Sequence, residues 1–317
     1  MLLTVTLNPA IDQVLVVDRF VAGSDIPASQ AVTCVGGKGL DVSVALRGFG
    51  VETTGLTLLA GANGCELQGI LEEYGIVTAP VWVEGEIRIC YVIAETESGA
   101  VTHIKHGGIT PKPQDYQELV EELERLCQGA QWVICAGSLP GNADPSIYAE
   151  YIERARAHGC KTLIDCSGEP FRRGLAAHPE IAKMNRNEFQ ETFPAITHSL
   201  TDLSPTTLTP VVRQVALEYD LDCFVVTCGA DGILAVTPEA SFIARAPVQQ
   251  AYNAAGAGDA VSAALCWQMS SGKTFQEALH FAAAAGAAAV LTLATGECNA
   301  DDVYRILPNV EVSTRRW

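Results

Sequence analysis

The stretch Trp132-Val133-Ile134-Cys135-Ala136, continued by Gly137-Ser138-Leu139-Pro140, the run from Asp144-Pro145 to His158, and Thr162-Leu163-Ile164-Asp165, decides the fold. Its first and last segments are short, apolar and rich in β-branched residues, while the run between them is longer and amphipathic. That is the pattern of two strands joined by a crossover helix, the unit of a parallel sheet covered by helices. Asp144 ahead of Pro145 is the expected helix start.

The same alternation extends in both directions. Strands are predicted at Leu3–Leu7, Thr53–Leu59, Ile181–Met184 and Cys223–Thr227, and helices at Leu40–Phe49, Cys65–Tyr74, Pro113–Cys127, Thr207–Tyr219, Ala257–Met269 and Phe275–Leu293. Thr274 and Glu277 make a capping box for the last of these. The fold class is α/β, with a central, mostly parallel sheet flanked by helices. Gln13–Thr33 and Trp82–Lys105 break the rhythm, with strand periodicity, turns at Glu84-Gly85-Glu86 and Ser98-Gly99, and no helix between. They are expected to pair as a small accessory sheet. No linker, repeat or low-complexity tract intervenes, so residues 1–317 read as one domain with a β lid formed by about 13–33 and 82–105.

Composition narrows the partners. The chain carries 20 Lys and Arg against 37 Asp and Glu, a net charge of −17. That balance argues against a nucleic-acid surface and against attraction to an anionic membrane. Any anionic ligand must be held by local donors. The 11 cysteines are odd in number, none is spaced C-x-x-C, and most sit in apolar runs where a thiol packs as a small hydrophobe. This is a reduced, intracellular pattern. The N-terminus reaches Asn8-Pro9 before a signal peptide could be completed, and the longest low-polarity run, Phe281 to Leu293, falls short of the ~20 residues of a membrane span. A cytoplasmic protein is expected.

Four motifs could carry chemistry. Asn253-Ala254-Ala255-Gly256-Ala257-Gly258-Asp259-Ala260 is a small-residue loop entering a helix, which presents backbone N–H groups at the positive end of the helix dipole. Asp259 stands in its first turn, where a hydroxyl attacking a cradled phosphoryl group would need a base. Cys34-Val35-Gly36-Gly37-Lys38-Gly39-Leu40-Asp41 is a second glycine loop, now with a lysine, and it is not a Walker A sequence. Gly272-Lys273-Thr274 has Trp267 where that motif needs glycine, and reads as a helix end followed by a helix start. Asn185-Arg186-Asn187-Glu188 follows a strand and offers oxygen ligands suited to Mg²⁺ or its waters, or simply starts a helix. Thr227-Cys228-Gly229-Ala230-Asp231-Gly232 reads as a turn on the nucleotide side, or as a hairpin turn. His103 and His106 are set on a predicted strand and point to opposite faces, so they read as structural or lid-surface residues.

Taken in order, these motifs resemble those of the PfkB carbohydrate kinases of the ribokinase-like fold. Thr6-Leu7-Asn8-Pro9-Ala10-Ile11-Asp12 is similar to the opening of the branch that contains 1-phosphofructokinase and tagatose-6-phosphate kinase. The resemblance runs from residue 3 to about 300 and includes Gly137-Ser138-Leu139-Pro140 and Leu293-Ala294-Thr295-Gly296. It implies that Asp259 is the base, and that Ala255, Gly256, Ala257 and Gly258 form the anion hole. It implies that Asn185 and Glu188 position Mg²⁺ through water, and that Thr227, Gly229 and Gly232, with Lys183 nearby, line the ATP side. Asp12 would hold sugar hydroxyls, with Gly37, Lys38, Asp41, Arg88, Cys90 and Ser138 closing round the substrate and its phosphate. ATP and Mg²⁺ are the implied cofactors, together with a monovalent cation at the loop before Gly256. A homodimer through the β lid is implied as well.

The chain departs from the family pattern at four places. Asp41 stands for the usual Asn, Met184 for the Pro of K-P-N, and Ala254-Ala255 for the usual Thr or Ser. Cys90 replaces an Asn common in 1-phosphofructokinases and leans toward the tagatose-6-phosphate type. The leading expectation is 1-phosphofructokinase. Alternatives are tagatose-6-phosphate kinase or 6-phosphofructokinase, a kinase of a non-phosphorylated sugar or nucleoside, and a non-catalytic sugar- or nucleotide-binding regulator. For any kinase reading, the positive groups of this acidic chain should gather in one cleft: Lys38, Arg88, Lys183, two helix N-termini and bound Mg²⁺.

Overall fold

Two sheets organise the chain in the computed structural model, which describes all residues 1–317. The strands are β1 (Leu2–Thr6), β2 (Ala10–Val17), β3 (Gln30–Gly36), β4 (Thr53–Leu59), β5 (Val77–Trp82), β6 (Arg88–Glu95) and β7 (Val101–Ile104). They continue as β8 (Trp132–Ala136), β9 (Lys161–Asp165), β10 (Ile181–Asn185), β11 (Phe224–Thr227), β12 (Ile233–Val236), β13 (Ala240–Arg245) and β14 (Glu311–Arg316).

The large sheet has the order β14-β13-β12-β11-β10-β9-β8-β1-β4-β5. From β5 through β11 the neighbours run parallel, and β12 to β14 add an antiparallel margin. Parallel strands covered on both faces must be apolar on both. In β8, Val133 and Cys135 belong to one core cluster and Trp132, Ile134 and Ala136 to the other. Helices Ala257–Ser270 and Phe275–Ala289 cover the second face, packed closely through fully buried Ala282, Ala284 and Ala285. No helix is long and apolar enough to cross a membrane.

The connection order opens a crevice. β1 lies between β4 and β8, so the chain leaves β1 to one side for β4 and β5 and later returns to its other side at β8. Carboxyl ends of strands that part in this way leave room for a ligand. The small sheet, in the order β3-β2-β6-β7, has β2 and β6 parallel and both outer pairs antiparallel. Asp12 stands in register with Cys34 on one side and Cys90 on the other, and all three are buried.

The predicted strands appear within a residue or so of their observed bounds, and the differences have local causes. Trp82 closes β5 of the large sheet instead of opening the small one; Pro80 and exposed Val77 disguise an edge strand. The helix expected to begin at Pro145 begins at Ile147, because the Asp144 carboxylate accepts from Ser146 N at 2.8 Å and closes a turn first. The Ala-rich helix stops at Ala289, short of Leu293. There Tyr252 N donates to Val290 O at 2.8 Å, and the chain turns toward the crevice.

Candidate active site

A cavity of about 1050 Å³ lies between the two sheets, and all eighteen site residues expected from sequence line it. Its middle is the helix start at Ala257. Gly256 has φ +80°, a left-handed turn that aims the first-turn amides of Ala257 and Gly258 outward, beyond reach of any helical acceptor. Asp259, in the same turn, is buried, and its Oδ1 has no partner. Burial first, then the neighbouring Asp165 carboxylate, push its pKa up to about 7 against the pull of Lys183 and Lys38. A carboxylate at that value can take a proton near neutral pH.

Behind Asp259 lies a charge-balanced cluster built from strand ends. Asp165, at the end of β9, accepts from Lys38 Nζ at 3.0 Å, from Lys183 Nζ at 2.5 Å and from Ser262 Oγ at 3.0 Å. Burial works against its charge, but the Lys183 and Lys38 ammoniums outweigh it and hold Asp165 below the usual carboxylate range. Lys38 also donates to Glu188 Oε1 at 2.6 Å; burial opposes its charge, while Asp165, Glu188 and Asp259 raise its pKa. Sequence reasoning had set Lys38 round the sugar. It lines the cavity, with its ammonium between Asp165 and Glu188. Lys183 lines the cavity too, and its Nζ donates to Gly258 O at 2.8 Å, so it braces the anion loop. Asn185 and Glu188 cap the helix Arg186–Thr192 reciprocally, Asn185 Oδ1 accepting from Glu188 N at 2.9 Å and Glu188 Oε2 from Asn185 N at 3.0 Å. The helix-start reading and the ligand reading of this motif therefore describe the same side chains.

The other end of the cavity is different. Arg88, at the start of β6, donates through Nη2 to Asn8 O at 3.0 Å, while its buried Nε has no partner. Ser138 Oγ lies 3.3 Å from Asn8 Nδ2 and 3.4 Å from Arg88 Nη2. Unpartnered buried oxygens cluster here, on Thr6, Asn8, Asp41 and Thr295. Asp12 is pushed up to about 6 by burial, with the nearby Thr295 hydroxyl first and then Lys105 and Arg88 opposing. Asp41 is driven well above the carboxylate range by burial and by Asp259 and Asp12. Cys90 is raised by burial. Lys105 and His103 line the cavity as well, and the His103 ring is held below its usual value by burial and Lys105. β7 ends at Ile104, so His106 lies beyond the strand. Sequence reasoning missed Lys105, Asp165, Asn8 and Thr295. Asn8 and Thr295 stood inside recognised motifs without a role of their own, Asp165 was a charged residue closing an apolar strand, and Lys105 carried no signal.

The residues expected from sequence on the ATP side share one wall of the cavity. Thr227 ends β11, and Gly229 and Gly232 form the tight turn into antiparallel β12, a hairpin as well as a cavity wall. Ala283, Gly286, Ala287 and Val290 of the last long helix make an apolar floor beside them.

A sequence profile described as pfkB family carbohydrate kinase matches residues 5–302. The chain belongs to the pfkB family of carbohydrate kinases. As a pfkB kinase it is an enzyme that uses ATP to phosphorylate a carbohydrate. It is 28% identical to the 1-phosphofructokinase of Bacillus subtilis, over 99% of each chain. It is 27% identical to a tagatose-6-phosphate kinase of Staphylococcus epidermidis, over 98% of this chain and 99% of that one. The structure of phosphofructokinase-2 from Escherichia coli in complex with potassium has the same fold, with a TM-score of 0.86 and 23% identity over 97% and 98% of the two chains.

In this pfkB kinase no three His, Cys, Asp or Glu side chains converge on one point. The donor set suits a Mg²⁺ ion that arrives on nucleotide phosphates with its own waters, for which few protein ligands are needed. Asn185 and Glu188 are the oxygen donors on that side of the cavity.

Proposed function

We propose that this protein transfers the γ-phosphoryl group of ATP to a primary hydroxyl of a ketohexose phosphate, with fructose 1-phosphate as first substrate and fructose 1,6-bisphosphate as product. The observation that carries this reading is the buried, unpartnered Nε of Arg88 in the same cavity as the unpartnered Oδ1 of Asp259. A buried guanidinium N–H without an acceptor is costly by itself and fits a substrate phosphate. Lys105 and Ser138 stand ready to share that anion.

Asp259 takes the proton of the attacking hydroxyl. Ala255, Gly256, Ala257 and Gly258 cradle the transferring group, and Lys183 keeps Gly258 in place through its carbonyl. Asp12, Gly37 and Asp41 orient the sugar hydroxyls, with Cys90 beside Asp12. Thr227, Gly229 and Gly232 line the nucleotide. Asn185 and Glu188 would hold Mg²⁺ through water, and the ion would supply charge neutralisation at the phosphates. Lys38 steadies Glu188 and Asp165 for that task. In such a reaction positioning and charge stabilisation dominate over covalent chemistry. The small sheet is a lid that closes over the sugar and excludes water, which would otherwise accept the phosphoryl group. Its outer face exposes Tyr91 and Ile104, which supports pairing with the lid of a second copy as a homodimer. Eleven unbonded cysteines support a reducing, cytoplasmic setting.

A second reading, tagatose 6-phosphate as acceptor, is favoured by Cys90, which lies in register with Asp12. A coupled ADP-release assay over fructose 1-phosphate, fructose 6-phosphate, tagatose 6-phosphate, fructose and ribose decides between them. Preference for an uncharged sugar, with Arg88→Ala harmless, sinks the phosphosugar proposal. No ADP release with any of them would leave the alternative of a non-catalytic binding protein.

A further inference from the structure

The resemblance implied a monovalent cation at the loop before Gly256, and the residues there do not fit one. Asn253 is 1% exposed and spans to the neighbouring loop, its Nδ2 donating to Leu293 O at 2.9 Å and its Oδ1 accepting from Ala255 N at 2.9 Å. Asn253 N adds a bond to Val290 O at 3.3 Å. Across the junction, Thr292 Oγ1 donates its one proton to Ala289 O at 2.9 Å, with Ala294 O and Glu297 O each 3.2 Å from the same oxygen. The one carboxylate of this stretch, Glu297, accepts from Tyr74 OH. Potassium is held by carbonyl oxygens that replace its water shell. Here Val290 O, Leu293 O and Ala289 O already accept from N–H and O–H donors, and residue 253 is a neutral amide whose donor end points at the bridging carbonyl.

What the junction carries is the reacting centre. A Cβ on Gly256 would come within 2.2 Å of Gly296 N, and a Cβ on Gly296 within 2.9 Å of Asp41 Cα, so the two loops touch backbone to backbone. One loop leads into the Ala257 and Gly258 amides and Asp259; the other bears Thr295, whose hydroxyl is buried, unpartnered and part of the cavity wall. We propose that Asn253 is a positioning residue whose amide clasps the two loops in place of a bound cation, so that phosphoryl transfer by this protein needs no potassium. The proposal rests on the kinase reading of the site.

The test compares ADP release in tetramethylammonium chloride and in potassium chloride at equal ionic strength, with melting temperatures recorded in the same buffers. Wild-type turnover should change by less than about twofold, and its melting temperature should be the same in both salts. Asn253→Ala should lose roughly tenfold or more in kcat with little change in sugar KM, and potassium should not restore it. Asn253→Asp exchanges the donor for a second acceptor; its turnover and its melting temperature should both rise when potassium replaces tetramethylammonium. Tenfold activation of the wild type by potassium, a wild type that melts higher in potassium, or an Asn253→Ala enzyme with normal kcat overturns the proposal. If no sugar of the panel is turned over, the substrate reading falls, and the melting comparison still decides the clasp.

Discussion

The two ends of one cavity contrast in how their charges are satisfied. Around Asp165 every buried charge has its partner: Lys38, Lys183, Glu188 and Ser262 close a network that asks nothing of a ligand. Around Asp12 and Asp41 the balance is open, with carboxylates crowded together, Arg88 Nε unpartnered and several buried oxygens idle. A closed network makes a rigid platform, and an open one stores unmet demand that only a bound molecule meets. Asp259 sits at the seam: Asp165, Lys183, Lys38 and Glu188 act on it, and it in turn raises Asp41.

The sharpest way to break this comparison is at the seam. Asp259→Asn should lower turnover by ~10³-fold or more, since a positioned base is worth 10²–10⁴ and more in a preorganised site. Nucleotide affinity, followed by calorimetry, should barely move. In the native enzyme, kcat/KM should fall as pH drops through about 7, because the raised pKa leaves the base protonated in acid. A profile flat from pH 8 to about 5.5 would remove Asp259 from the role.

The closed end should respond in stability. Asp165→Ala strands two lysines, one of them 2% exposed, and should cost ~3–5 kcal/mol, read as a lower urea midpoint. An unchanged midpoint would show that the network is not a platform. The open end should respond in binding. Arg88→Ala should raise KM for the phosphosugar ~30-fold or more while leaving the melting temperature nearly unchanged.

The smallest effect has an unusual sign. Asp41 is held above the carboxylate range in the folded chain, so its proton is bound more tightly there than in the unfolded chain. The folded state is therefore favoured in acid and loses that advantage as pH rises. Asp41→Asn should stabilise the unliganded protein, by ~2 °C at this chain size, with the gain growing from pH 4 upward. A variant that melts lower at pH 8 contradicts the open-end picture.

Legibility followed the same divide. Loops with a local signature, such as Gly256–Asp259 and Gly36–Lys38, could be placed from sequence because small residues before a helix have few other uses. Asp165 and Lys105 could not, because each is an ordinary polar residue until strands far apart in sequence bring it to the cavity. Lys38 could be set at the cavity but not given its partners for that reason: nothing local says that Asp165, at a separation of 127 residues, lies 3.0 Å from its Nζ. Edge strands β5 and β14 were unreadable because they need only half the apolar pattern, while β12, buried throughout, is only four residues long.

The net charge of −17 raised the question of how an acidic chain could hold anions. Lys38, Arg88 and Lys183 do line one cavity, but two of the three are neutralised there by Asp165 and Glu188. Sequence by itself determined the alternation of strands and helices, and so the parallel sheet, the crevice at its carboxyl ends and the helix start that bears Asp259. Those follow from periodicity and caps, which are local. Which charges remain free, which carboxylates stay protonated and whether two loops are clasped by an amide or an ion were decided only by tertiary structure. They depend on distances and burial that no neighbouring residue encodes.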